Sequence, residues 1–99
     1  MELGGKSANI FFDDCDFDLA IDGACLGILF NQGQVCCAGS RIFLQDTFYD
    51  KFIEALIKQF NSIKVGNSLD PNTMMGAQVN AKTTKKNFRI CKIRRKRRM

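Results

Sequence analysis

Two short apolar runs, each followed by a longer stretch with helical spacing, constrain this chain more than any other feature. Asn9-Ile-Phe-Phe12 stops at Asp13-Asp14 and is too short for a helix, so it predicts a buried strand. Asp14 or Asp16 is placed to cap a following helix, in which Leu19, Ala20, Ala24, Ile28 and Leu29 sit near helical spacing. Asn31-Gln-Gly33 breaks that stripe. Arg41 to Gln45 predicts a second strand, with Asp46-Thr47 as a turn or N-cap. Phe48, Phe52, Ile53, Leu56, Ile57 and Phe60 then mark one face of a helix running from about Tyr49 to Ile63. Val65-Gly66-Asn67 and Asp70-Pro71-Asn72 are turn-rich, and a weak helix is expected from about Ala77. Strand, helix, strand, helix is the order of a βαβ unit, and the predicted class is α/β. A parallel pair alone leaves both edges open, so the pattern reads as a slice of a larger sheet.

Charge divides the chain in two. Residues 87–99 hold seven of the fifteen basic side chains and no acidic one, while the remaining residues carry eight basic and ten acidic side chains, a net of −2. The formal +5 therefore describes a basic tail and says little about the partners of the body. Hydrophobic residues make up 45% of the chain, nine of them Phe, which argues against intrinsic disorder. No apolar run reaches the ~18 residues of a membrane span, and the first residues lack the pattern of a signal peptide. The five cysteines, Cys15, Cys25, Cys36, Cys37 and Cys91, form no C-x-x-C pair, and there is no His. No metal site is expected from these spacings. Adjacent Cys36 and Cys37 are poorly placed to pair with each other, and a reducing compartment is expected.

Two segments could carry chemistry. Glu2-Leu-Gly-Gly-Lys-Ser7 sets a carboxylate before two glycines, which suits either a tight turn before a strand or a close approach to a ligand. Phe30-Asn-Gln-Gly-Gln-Val-Cys-Cys-Ala-Gly-Ser40 places thiols on a Gly-flanked connection between a helix and a strand. A thiol there is either a nucleophile activated by a neighbour or a small buried residue, and spacing alone leaves both readings open.

Taken together, the two segments resemble the active-site signatures of the NAD(P)-dependent aldehyde dehydrogenases, most closely the class 1/class 2 branch. The glutamate signature E-L-G-G-K-S stands at Glu2 to Ser7, and the cysteine signature G-Q-x-C-x-A stands at Gly33 to Ala38. Glu2 and Cys36 lie 34 positions apart, as the family keeps them. Phe12 to Asp18, Ser40-Arg41, Tyr49 to Phe52, Lys64 to Asn67 and Gly76-Ala-Gln78 are similar to further family blocks, so the likeness runs from residue 1 to about 86. The resemblance implies a partial catalytic domain over residues 1–86 that oxidises aldehydes, with NAD, or alternatively NADP, as hydride acceptor. Cys36 would be the nucleophile, with its backbone N–H in the oxyanion hole. Glu2 would be the general base, and Leu3 and Gly4 would lie by the nicotinamide. Cys37 would line the same pocket, while Cys15 and Cys25 read as packing residues. The implied partners are an aldehyde and further copies of the chain; neither a membrane nor nucleic acid is the expected partner. The expected compartment is the cytoplasm, with the mitochondrial matrix as the alternative.

The chain departs from the family in length and in its tail. The Rossmann-like cofactor half is expected before Glu2, and the C-terminal part after the tail; without them the isolated chain is expected to be inactive. Residues 87–99 read Asn-Phe-Arg-Ile-Cys-Lys-Ile-Arg-Arg-Lys-Arg-Arg-Met, where the family has a mixed helix. Deleting one A from the Asn87 codon in a back-translation allows Ile-Phe-Glu-Tyr-Val-Lys-Leu-Gly-Glu-Lys-Glu-Gly, which is family-like, so the tail reads as a one-base frameshift. The competing readings are a truncated, non-catalytic chain that associates with full-length subunits, and a nucleic-acid binder acting through its basic tail.

Overall fold

The computed structural model describes residues 3–97. Strand β1 (Ala8–Phe11) leads into helix α1 (Phe17–Leu29), and strand β2 (Arg41–Leu44) leads into helix α2 (Tyr49–Ser62). A last helix, α3, spans Ala81–Arg97. The α/β class stands. β1 and β2 pair in parallel, with Ala8 opposite Arg41 and Phe11 opposite Leu44. Among the described residues the sheet has these two strands.

Local chemistry sets the element ends. Asp16 is the residue that caps α1: its side chain accepts the Leu19 backbone N–H at 3.0 Å, satisfying one of the free amides of the first turn. At the far end of the strands, the Asp13 carboxylate accepts the Gln45 side-chain amide at 2.9 Å and the Thr47 hydroxyl at 2.6 Å, tying the exits of β1 and β2 together.

The core lies between the sheet and its two helices. Ala20, Ile21, Ala24 and Cys25 of α1 meet Phe52 and Leu56 of α2. Phe52 has no exposed surface, and its ring is 5.0 Å from that of Phe11, 5.5 Å from Phe48 and 6.0 Å from Phe17. Such tilted and edge-on pairs each add about 0.5–1.5 kcal/mol to the burial itself.

Three expectations need correction. Leu19 is not on the buried stripe of α1; it is 71% exposed, and Ala20, Ile21, Ala24 and Cys25 face the core. The strands are half-covered rather than buried. Phe11, Ile42 and Leu44 pack against the helices, whereas Ile10 and Phe43 on the other face are exposed, with no second layer over them among the described residues. The helix expected from about Ala77 starts at Ala81, where the Asn80 side chain accepts the Thr83 N–H at 2.9 Å, and it continues without a break to Arg97 in the basic tail.

Candidate functional site

The segment that carries the thiols begins where α1 ends. Helix α1 gives way at Phe30, and Asn31, Gln32 and Gly33 all adopt left-handed backbone, with φ of 48°, 59° and 71°. Glycine takes this conformation without penalty and Asn tolerates it; for Gln32 it carries a cost. Next comes a tight turn in which the Ala38 N–H donates to the Val35 carbonyl at 3.1 Å, with Cys36 and Cys37 inside it. The Gly39 N–H donates to the Gly27 carbonyl at 2.9 Å, so the turn is fastened to the last turns of α1 before β2 begins. Both thiols are exposed.

The other motif arrives from the N-terminal side. Glu2 lies outside the described residues. The residues that follow it are placed: Leu3 is exposed, and Gly4 has φ of 75°. Gly5 sits so close to the Cys36 backbone that a Cβ there would collide with the Cys36 carbonyl. Only a residue without a side chain permits this approach. The Arg41 guanidinium then donates through Nε to the Lys6 carbonyl at 2.9 Å, and the Arg41 backbone N–H donates to the Ser7 carbonyl at 3.3 Å. The fold thus presses the residues just after Glu2 onto the residue expected to be the nucleophile, although the two segments are some thirty positions apart in sequence.

Beside this contact lies an open cleft of about 880 Å³. Gly4, Gly5 and Lys6 form one wall, residues 31–35 with Ala38 a second, and residues 77–79 with Lys86 of α3 a third. Its charged side chains, Lys6 and Lys86, are both cationic, and no carboxylate lines it among the described residues. Val35 and Ala38, which flank the two cysteines, face the cleft, whereas Cys36 and Cys37 stand at its side. A Cβ built on Gly4 would meet no other atom within 4 Å. No group of three or more His, Cys, Asp or Glu suited to a metal ion occurs among the described residues. Likewise, no described helix is long and apolar enough to cross a membrane.

Some residues around the cysteine turn were not assigned roles from the sequence. The Gln78 side-chain amide donates to the Gln32 carbonyl at 3.1 Å, and the Val79 N–H donates to the Gln34 side-chain oxygen at 3.1 Å. Gln34 and Gln78 both stand inside recognisable blocks, but nothing in a single sequence says that residues 45 and 46 positions apart will meet. Cys25, in contrast, is buried in the core, and Cys15 packs against it.

Comparison with known proteins agrees with these features. Residues 1–98 match the family model described as the aldehyde dehydrogenase family. A curated aldehyde dehydrogenase of Emericella nidulans is 53% identical over 79 residues, covering 80% of this chain and 16% of that protein. The crystal structure of betaine aldehyde dehydrogenase from Staphylococcus aureus in complex with NAD+ superposes with a TM-score of 0.82 at 50% identity, over 86% of this chain and 17% of that one. An aldehyde dehydrogenase from Bacillus cereus, also solved as an NAD+ complex, gives a TM-score of 0.79 at 43% identity, over 83% of this chain and 17% of that one. The chain thus spans about one sixth of the length of the relatives it matches.

Proposed function

This chain belongs to the aldehyde dehydrogenase family, and we propose that it supplies the nucleophile and the general base of an NAD+-dependent aldehyde oxidation. The observation that carries this reading is the contact of Gly5 with the Cys36 backbone, which sets the glutamate segment against the cysteine turn. NAD+ would lie in the cleft against Gly4, Gly5 and Lys6 and, when bound there, would supply a hydride acceptor. NADP is the alternative acceptor.

On this reading the Cys36 thiolate attacks the aldehyde carbon, and the new C–S bond pushes the carbonyl electrons onto oxygen. The Cys36 backbone N–H donates to that oxygen as charge develops. Loss of hydride from the carbon leaves a thioester on Cys36. Glu2 removes a proton from water, the resulting hydroxide attacks the thioester, and the carboxylate leaves as the Cys36 thiol is restored. Leu3 and Gly4 border the space where the hydride is delivered.

The test is a graft. Residues 2–86 replace the matching segment of the Staphylococcus aureus betaine aldehyde dehydrogenase, and NADH formation is followed with aldehyde. Turnover is expected, and it should fall by about 10³-fold or more in Cys36→Ala, the scale on which loss of a covalent nucleophile acts, while Cys37→Ser stays active. A Cys36→Ala graft that still turns over overturns the assignment. The isolated 99-residue chain is expected to form no NADH above its own Cys36→Ala control. We further propose that residues 87–99 are read one base out of frame. Sequencing the coding DNA through codon 87 checks this, and a shifted frame that does not continue into family-like sequence overturns it.

A further inference from the structure

The left-handed run before the cysteine turn has to be held from outside. Asn31, Gln32 and Gly33 have φ of 48°, 59° and 71°, and for a residue such as Gln32 this conformation carries a roughly tenfold population penalty. Such residues persist where their surroundings over-determine them. Two of the bonds here are internal to the run. The Gln34 N–H donates to the Asn31 carbonyl at 3.0 Å, and the Asn31 side-chain amide donates to the Gln34 carbonyl at 3.3 Å. These move with the loop and cannot fix where it points.

Two further bonds come from the irregular segment at residues 78–79. The Gln78 amide donates to the carbonyl of Gln32, the left-handed residue least suited to its conformation, at 3.1 Å. The Val79 N–H donates to Oε1 of Gln34, two positions before Cys36, at 3.1 Å. The segment itself is anchored nearby: Gly66 N–H donates to the Met75 carbonyl at 3.1 Å and Met74 N–H to the Lys64 carbonyl at 2.9 Å. It is therefore a fixed strap against which the loop is held.

We infer that Gln78 is a positioning residue for Cys36: its side-chain N–H grips the Gln32 carbonyl and so fixes the orientation of the cysteine turn. Gln78 touches no reacting atom, and the inference rests on Cys36 as the nucleophile. The Val79 bond is made by backbone and survives any side-chain change, so Gln78 is the part of the strap that substitution can remove.

The test uses the full 99-residue chain and iodoacetamide, with alkylation of each cysteine resolved by tandem mass spectrometry. Cys36 and Cys37 report on the turn, and exposed Cys91 on α3 is the remote control. Gln78→Met removes the donor at nearly constant length. It should change the Cys36-to-Cys37 rate ratio by about fivefold, the equilibrium weight of one neutral hydrogen bond, with the Cys91 rate unchanged. Gln78→His keeps an N–H at similar reach and should restore the wild-type ratio. A wild-type ratio in Gln78→Met overturns the inference. So does a failure of Gln78→His to rescue, or a variant in which all the cysteines become reactive together, because either result makes Gln78 a general stability residue. Failure of the nucleophile reading is separate, since it is read from turnover of the graft with Cys36→Ala.

Discussion

Helices α2 and α3 are similar in length, 14 and 17 residues, and opposite in what they do for the fold. α2 gathers its apolar residues on one face and buries Phe52 and Leu56 against α1 and the sheet. α3 buries none of its residues, and it carries nine Lys and Arg with no acidic side chain. Its apolar residues are exposed, and Phe88 falls on the other side of the helix from Ile90. A helix thus does not join a core merely by forming; its apolar residues must gather on one face. Where they do not, capping by Asn80 and cations in the last turn, favourably placed at the negative end of the helix dipole, are what remain.

The comparison breaks most sharply at Phe52. Phe52→Ala should cost about 3–5 kcal/mol, because its ring is fully enclosed and the neighbouring rings cannot all collapse into the space. Urea unfolding followed by circular dichroism measures it. A cost below ~1 kcal/mol, the usual size of an ordinary point substitution, would mean that α2 does not anchor the body. A smaller effect should come with pH. Burial pushes the Cys25 thiol above its ordinary value of 9.0, and the nearby Asp22 carboxylate adds to the rise. The folded state then holds the proton more tightly than the unfolded state does. This contribution is complete below the unfolded pKa and is lost as pH rises through the folded one. Stability should be level to about pH 8 and decline above about 9 through this thiol. Cys25→Ala should flatten the alkaline decline, and an unchanged decline would remove Cys25 as its cause.

The sequence showed the elements wherever periodicity was strong. β1, α1, β2 and α2 lie within one to three residues of their expected places, and Asp16 caps α1 as one of the two candidates. Leu19 falls outside the buried face because its spacing fits a stripe almost as well as that of Ile21, and the packing that turns Ile21 inward is not written in the spacing. Exposure of Ile10 and Phe43 was equally hidden, since a four-residue apolar run reads the same whether one or both faces are covered. Within the site, the two signatures were plain, and so was the breaker at residues 31–33. The contact of Gly5 with the Cys36 backbone and the Gln78 strap were not, because each depends on how distant segments pack together.

The smallest expected effect is at α3. Ending the chain after Asn87 removes all seven basic residues of the tail and takes the formal charge from +5 to −2, yet among the described residues it deletes no buried side chain. The one ion pair among the described residues, Lys64 with Asp70, lies outside α3. With nothing buried among its described residues, the tail couples to the body chiefly through charge, which is largely screened beyond ~8 Å at physiological salt. The urea midpoint of the body should correspond to a change within about 0.5 kcal/mol, as for exposed positions in general. Salt separates the two regions further. Repulsion among nine cations weakens α3 at low ionic strength, so helical signal should rise with salt in the full chain and stay level in the shortened one. A loss above ~1 kcal/mol on shortening would instead show that α3 is held by the body, since exposed positions seldom cost that much.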